Sequence, residues 1–171
     1  MKTAIKIILG ICIVVLSYLC IAGVMVPVKF EKQKAMREKE VIARLVAIRK
    51  AEVAYKNQFG YYTASFDTLI NFIKEDKSKA VKKEGTFTAE QMAIIPCSNG
   101  EYFQLATAKY TTASGIKIDL FEAKAPYKSY LNDLNRQELI NLIDTQKQLN
   151  RYPGLQVGSV TMPNNNAGNW E

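Results

Sequence analysis

The sequence predicts an α+β fold: one long N-terminal helix, apolar in its first half and amphipathic in its second, packed on a small antiparallel sheet with extra short helices. Three observations predict it. The run from Ile7 to Val28 contains no charged residue. Val41, Leu45, Ile48, Tyr55 and Phe59 then recur at spacings of three, four and seven, which is the stripe of a helix with one core-facing side. Further on, "GIKIDLFEA" has the period of two of a strand, with Ile116, Ile118 and Leu120 on one face and Lys117, Asp119 and Phe121 on the other.

Residues 7–28 form the first element. About 22 residues make a helix of roughly 33 Å, enough to cross a bilayer core of about 30 Å. "MKTAIK" places two lysines and the amino terminus ahead of the run. This flank suits either a secretory leader or the cytoplasmic side of an anchor. The run is longer than the apolar core of a leader, about 7–15 residues. Small residues for cleavage are confined to "CIAG", with Ala22 or Gly23 in last place, and Ile11 and Leu19 precede Cys12 and Cys20 where a lipoprotein site needs a small residue. A retained single-pass anchor in membrane lipid is therefore the expectation, and a cleaved leader the alternative. The flank from Lys29 to Glu40 mixes both signs, whereas the first six residues carry no acid. The N-terminus is thus expected in the cytoplasm and the folded domain on the far side. Within the span, Gly10, Ser17 and Gly23 are the small positions where a partner helix can come close, although they do not form a G-x-x-x-G pattern.

Pro27 is expected to kink the helix or to start a new one, because it removes a backbone hydrogen bond. Lys32, Lys34, Arg37, Glu38 and Lys39 read as solvated helix, and Glu52 interrupts the apolar stripe. Gly60 ends the helix, since glycine adopts the left-handed C-cap conformation without steric cost. Tyr61 and Tyr62 fold back on it. Ser65 caps a short helix bearing Phe66, Leu69, Ile70 and Ile73. Residues 75–87 are a charged loop. Thr88 and Gln91 form a capping box, and "PCSNG" is a turn. "EYFQLATA" is a strand, and "KYTTASG" has room for another short one. Asn135 caps a helix from about Arg136 to Asn150, with Glu138 completing the box and Leu134 and Leu139 as the staple. "LQVGSVT" reads as the last strand, and Trp170 pins a turn-rich tail.

This arrangement resembles type IV pilins and the pseudopilins of type II secretion. The likeness is carried by "LVAIRKAEVAYKNQFGYYTASFDTL", where a long helix ends, a Gly-Tyr turn follows and a short helix begins. It covers about the first 75 residues in wording and the rest in element order. The processing signal departs from that pattern: Gly10 is followed by Ile11, and no acid occurs in Ile7–Val28. "VIARLVAIRKAEVAYK", "ASGIKIDLFEAK" and "YPGLQVGS" are also similar to uncharacterised single-pass envelope proteins of Gram-negative bacteria. The resemblance implies a cytoplasmic N-terminus (1–6), a transmembrane helix (7–28), an amphipathic helix (29–59) and a periplasmic α+β head (60–171). It implies a structural or assembly subunit of a secretion or pilus-like envelope complex, held in the bacterial inner membrane. The alternatives are an accessory subunit of a transport or energy-transducing complex, and a periplasmic module that binds a ligand or cell-wall polymer through its basic loop.

No chemistry is expected. The chain has no histidine, which removes Ser-His-Asp and Cys-His arrangements, and no nucleotide-binding motif is present. Asp119 with Glu122, or Ser114 with Lys117 or Lys128, make catalytic pairs on paper only. Cys97 is alone in the soluble part and is expected to be a small buried residue. The formal net charge of +7 comes from lysines that are not interleaved with stacking aromatics, so no nucleic-acid partner is expected. No cofactor, metal or small-molecule substrate is expected either. Partner proteins of the membrane or periplasm are, with Tyr61, Tyr62 and Tyr102 as candidate contact surfaces.

Overall fold

Helix α1 runs from Lys2 to Phe59 without interruption. The computed structural model describes residues 2–75 and 87–171, so most of the charged loop expected at 75–87 lies outside the described residues. Pro27 neither ends α1 nor divides it. A helical proline crowds the carbonyl four residues earlier, and that residue is Gly23, whose Cβ position has open space around it.

The two halves of α1 have opposite environments. Large apolar side chains from Ile7 to Val28 are exposed. From Phe30 onward one face is buried: Phe30, Val41, Leu45, Ile48, Ala51 and Tyr55 all belong to one core. The buried stripe thus starts eleven residues before Val41, just ahead of the segment read as solvated. Phe59, expected on this stripe, is nearly half exposed.

Gly60 ends α1 with φ of 85° and donates its N–H to the Lys56 carbonyl at 2.7 Å. Helix α2 spans Phe66–Glu75 and buries Leu69, Phe72 and Ile73. The Thr88–Gln91 box is formed in both directions at the start of α3, Ala89–Ala93. Strand β1 covers Gln104–Thr111 and β2 covers Lys117–Pro126. The two pair antiparallel, Thr107 opposite Phe121. "KYTTASG" supplies the end of β1 and a turn at Gly115, φ 81°, rather than a separate strand. Helix α4 is the single turn Tyr127–Tyr130, and α5 runs Arg136–Gln148. Asn135 caps α5 by accepting from the N–H groups of Gln137 and Glu138, and Leu134 and Leu139 both join the core. Strand β3, Gly154–Gly158, pairs antiparallel with β2 and completes a three-stranded sheet in the order β1-β2-β3.

The sheet face turned to α1 carries Leu105, Phe121, Ala123, Ala125, Leu155 and Val157. It is the face of Phe121, not that of Ile116, Ile118 and Leu120. Ile116 is exposed, while β2 is buried on both sides from Leu120 to Ala123. A central strand covered on both faces loses the alternation that marks a half-buried one. Ala47 and Ala51 on the helix and Ala123 and Ala125 on β2 all belong to this core, and small side chains let packed elements approach closely. The tail closes the outer edge of β3: Val157 bridges Gly168, and the Asn169 N–H reaches the Gln156 carbonyl at 3.0 Å.

Candidate functional site

Three arginines on α1 tie the head to the rod. Arg37 grips Asp133 with both terminal nitrogens, at 2.5 and 2.7 Å, and also donates to the Tyr130 carbonyl at 2.6 Å. This double hydrogen bond holds the Asp133 carboxyl below its usual range. Arg44 donates to the carbonyls of Gln91 and Ile94 at the end of α3. A cation there meets the negative end of the backbone dipoles. Arg49 reaches the Asn166 carbonyl at 3.2 Å and the Glu171 carboxylate at 2.7 Å. Arg37 is therefore a clamp, and not part of a solvated face. Its replacement by alanine is expected to cost about 1 kcal/mol in chemical denaturation, a value kept small because Asp133 is largely exposed.

The aromatic corner lies at the far end of α1. Tyr55 packs against Phe59 at 4.6 Å, Phe72 at 5.3 Å and Tyr61 at 5.7 Å between ring centroids. Tyr62 turns inward, 4.8 Å from Phe121, with the Lys56 ammonium 4.4 Å above its ring and its hydroxyl accepting from Asn166. At the centre is Glu52, which is 0% exposed. Its Oε2 accepts the Thr63 N–H at 3.0 Å, and its Oε1 has no partner. Lys56 stands one turn on, but its ammonium points to the Asp119 carbonyl and the Tyr62 ring. Burial without a counter-charge pushes the Glu52 carboxyl up to about 7, and the Thr63 N–H offsets part of the rise. The residue that interrupts the stripe is thus a core residue. It splints the Gly60–Thr63 turn onto the helix.

The three tyrosines do not form one patch. Tyr62 is half-buried against the core, and it also lines the groove beside Tyr61 and another beside Arg49. Tyr61 is 51% exposed and borders a groove of about 680 Å³ together with Phe59, Thr107 and Leu120. Tyr102 is 61% exposed and bridges Ile94 ahead of β1. Tyr102 and Thr107 are five positions apart, roughly 17 Å along an extended chain. Gly10 and Ser17 are two turns apart and share a face of α1, whereas Gly23 is about 120° round from Ser17 at about 100° per residue. Cys97, expected to be buried, is exposed in a turn with φ of 58°. The turn needs a left-handed residue there, and this points the chain outward. Asp119 and Glu122 have opposite parity on β2 and face opposite sides, with Glu122 paired to Lys124. Among the described residues no three His, Cys, Asp or Glu side chains gather in metal-holding geometry.

The chain matches no protein-family model, no curated protein and no solved structure. By length and composition, α1 contains one stretch able to cross a membrane, near the N-terminus, a signature that a signal sequence shares.

Proposed function

We propose that this is a non-enzymatic single-pass protein of the bacterial inner membrane, with a cytoplasmic N-terminus and a pilin-like periplasmic head, acting as a structural or assembly subunit of an envelope complex. One observation carries the proposal. The same unbroken helix is exposed and apolar through Val28 and becomes the organising element of the head from Phe30 onward. An exposed uncharged surface of this length is costly in water and matched to lipid. A rigid rod of this kind transmits the position of the anchor to the head. Tyr61 and Tyr102, exposed at separate places, serve as two partner contacts, and Gly10 with Ser17 forms the face open to a neighbouring helix.

Cys97 supplies the test. In cells with a permeabilised outer membrane, a membrane-impermeant maleimide is expected to label Cys97, while Cys12 and Cys20 react only after denaturation. The protein is expected to stay with membranes through alkaline extraction. Release into the supernatant, or Cys97 labelling that requires lysis of the inner membrane, overturns the reading. Photo-crosslinking residues at Tyr61 and Tyr102 identify the assembly. Recovery of a secretion-platform protein supports the pseudopilin-like version, and recovery of transport subunits supports the accessory one.

A further inference from the structure

A second groove, of about 780 Å³, lies between α1, α5, β3 and the C-terminal tail. Six side chains from these separate parts of the chain line it: Glu38, Gln146, Arg151, Tyr152, Gln156 and Trp170. Among the described residues none of the six spends its side-chain polar atoms on an internal hydrogen bond. Arg151 and Gln156 enter the network only through backbone groups, the Arg151 N–H and both the N–H and the carbonyl of Gln156. This contrasts with the groove beside Tyr62, about 740 Å³, where Arg49 and Lys56 are both engaged. Next to Tyr127, another lining residue, Tyr130 is fully buried with its ring 6.0 Å away and its hydroxyl unpartnered.

The chemistry of this lining is specific in two respects. Its charges cancel: Lys34 is paired with Glu31 and Glu171 with Arg49, which leaves Glu38 and Arg151 of opposite sign. Its free groups donate and accept hydrogen bonds in comparable number, and the lining includes the rings of Trp170 and of Tyr152, the latter with the Lys124 ammonium 5.1 Å from its centroid. Hydroxyl groups satisfy such a wall in both senses, and the C–H face of a sugar ring packs on an aromatic ring. A peptide strand suits it less well, because the tail already occupies the outer edge of β3.

We infer that this groove binds a neutral oligosaccharide. The site goes beyond the assembly reading and stands independently of it. It also differs from a charge-driven cell-wall contact through the basic loop, since none of the six residues lies in that loop.

Trp170 is the single tryptophan of the chain, so its fluorescence reports directly on the groove. The full chain, held in a detergent without a sugar head group, is titrated with chitotetraose and with cellotetraose. At least one is expected to shift or quench Trp170 emission saturably. The double variant Gln146→Ala with Arg151→Ala removes two exposed or half-exposed side chains that make no internal bonds. It is expected to weaken binding about tenfold or more while leaving the unliganded emission and the melting temperature unchanged. No saturable response to either sugar up to about 10 mM, an unchanged affinity in the double variant, or a response to tetra-alanine in place of the sugars overturns the assignment.

Discussion

Replacing Glu52 by glutamine is expected to raise stability at pH 8 and to change it little at pH 5. The carboxyl titrates near 7 in the folded protein and near 4.5 when unperturbed. Between those values the folded state holds a proton that the unfolded chain releases, so stability falls as pH rises through this window and levels off above it. The gap corresponds to on the order of 3 kcal/mol. Because Glu52 is fully buried, solvent does not screen the effect. Glutamine keeps an acceptor for the Thr63 N–H and cannot ionise. Glu38, also raised by burial, adds a weaker slope of the same sign in both proteins. Asp133 and Glu171, held low by Arg37 and Arg49, act in the opposite sense and at more acid pH, outside the window. Urea unfolding of wild type and variant at pH 5, 6.5 and 8 measures the difference. Parallel stability curves across that range would show that Glu52 is not the titrating group.

Gly158→Ala is expected to be the most damaging single change in the sheet, lowering stability by about 3 kcal/mol or more. Gly158 sits at the end of β3 opposite Glu122, with φ of 72°. An added Cβ would lie 2.2 Å from the Phe121 carbonyl oxygen, a backbone atom that cannot swing aside. Two penalties therefore combine, a left-handed conformation that alanine resists and a clash with the central strand. The Gly158 N–H also holds the tail through the Ala167 carbonyl. Loss of the β3 edge is expected to free the tail, which a rise in Trp170 solvent accessibility in fluorescence quenching would reveal. Gly115→Ala is the control. It shares the positive φ but meets nothing within 4 Å, so it should cost only the conformational term, about 1 kcal/mol. Equal losses in the two variants would show that the carbonyl contact has no effect.

Much of this fold is written in short-range pattern. The long helix, its stop at Gly60, the Ser65 and Asn135 caps, the Thr88–Gln91 box and the three strand segments all depend on residues within a turn or a hairpin of one another. Such features survive translation from sequence to structure because their energetics are local. The sidedness of β2 was not legible, since the period of two does not say which face is covered, and both are. Nor was α4, a single turn with no side-chain cap. Pro27 starts no new helix, because α1 continues through it on both sides.

By itself, the sequence determined that one end of this protein is a long uncharged helix and that the same helix continues as the spine of an α+β head. Composition and periodicity suffice for that, because solvation of a helix face is decided by its own side chains. Only the tertiary structure decided which polar residues are internal. Arg37 finds Asp133 across 96 positions of chain, and Arg49 finds Glu171 across 122. Glu52 is stranded in the core because the Lys56 ammonium turns to β2 and Tyr62 instead. Tyr62 and Tyr61 are neighbours in sequence, yet one packs on Phe121 and the other stays at the surface. A charge or a ring has no fixed environment until distant segments close around it, and that closure sets which groups are paired, which are buried alone and which remain free to meet a ligand.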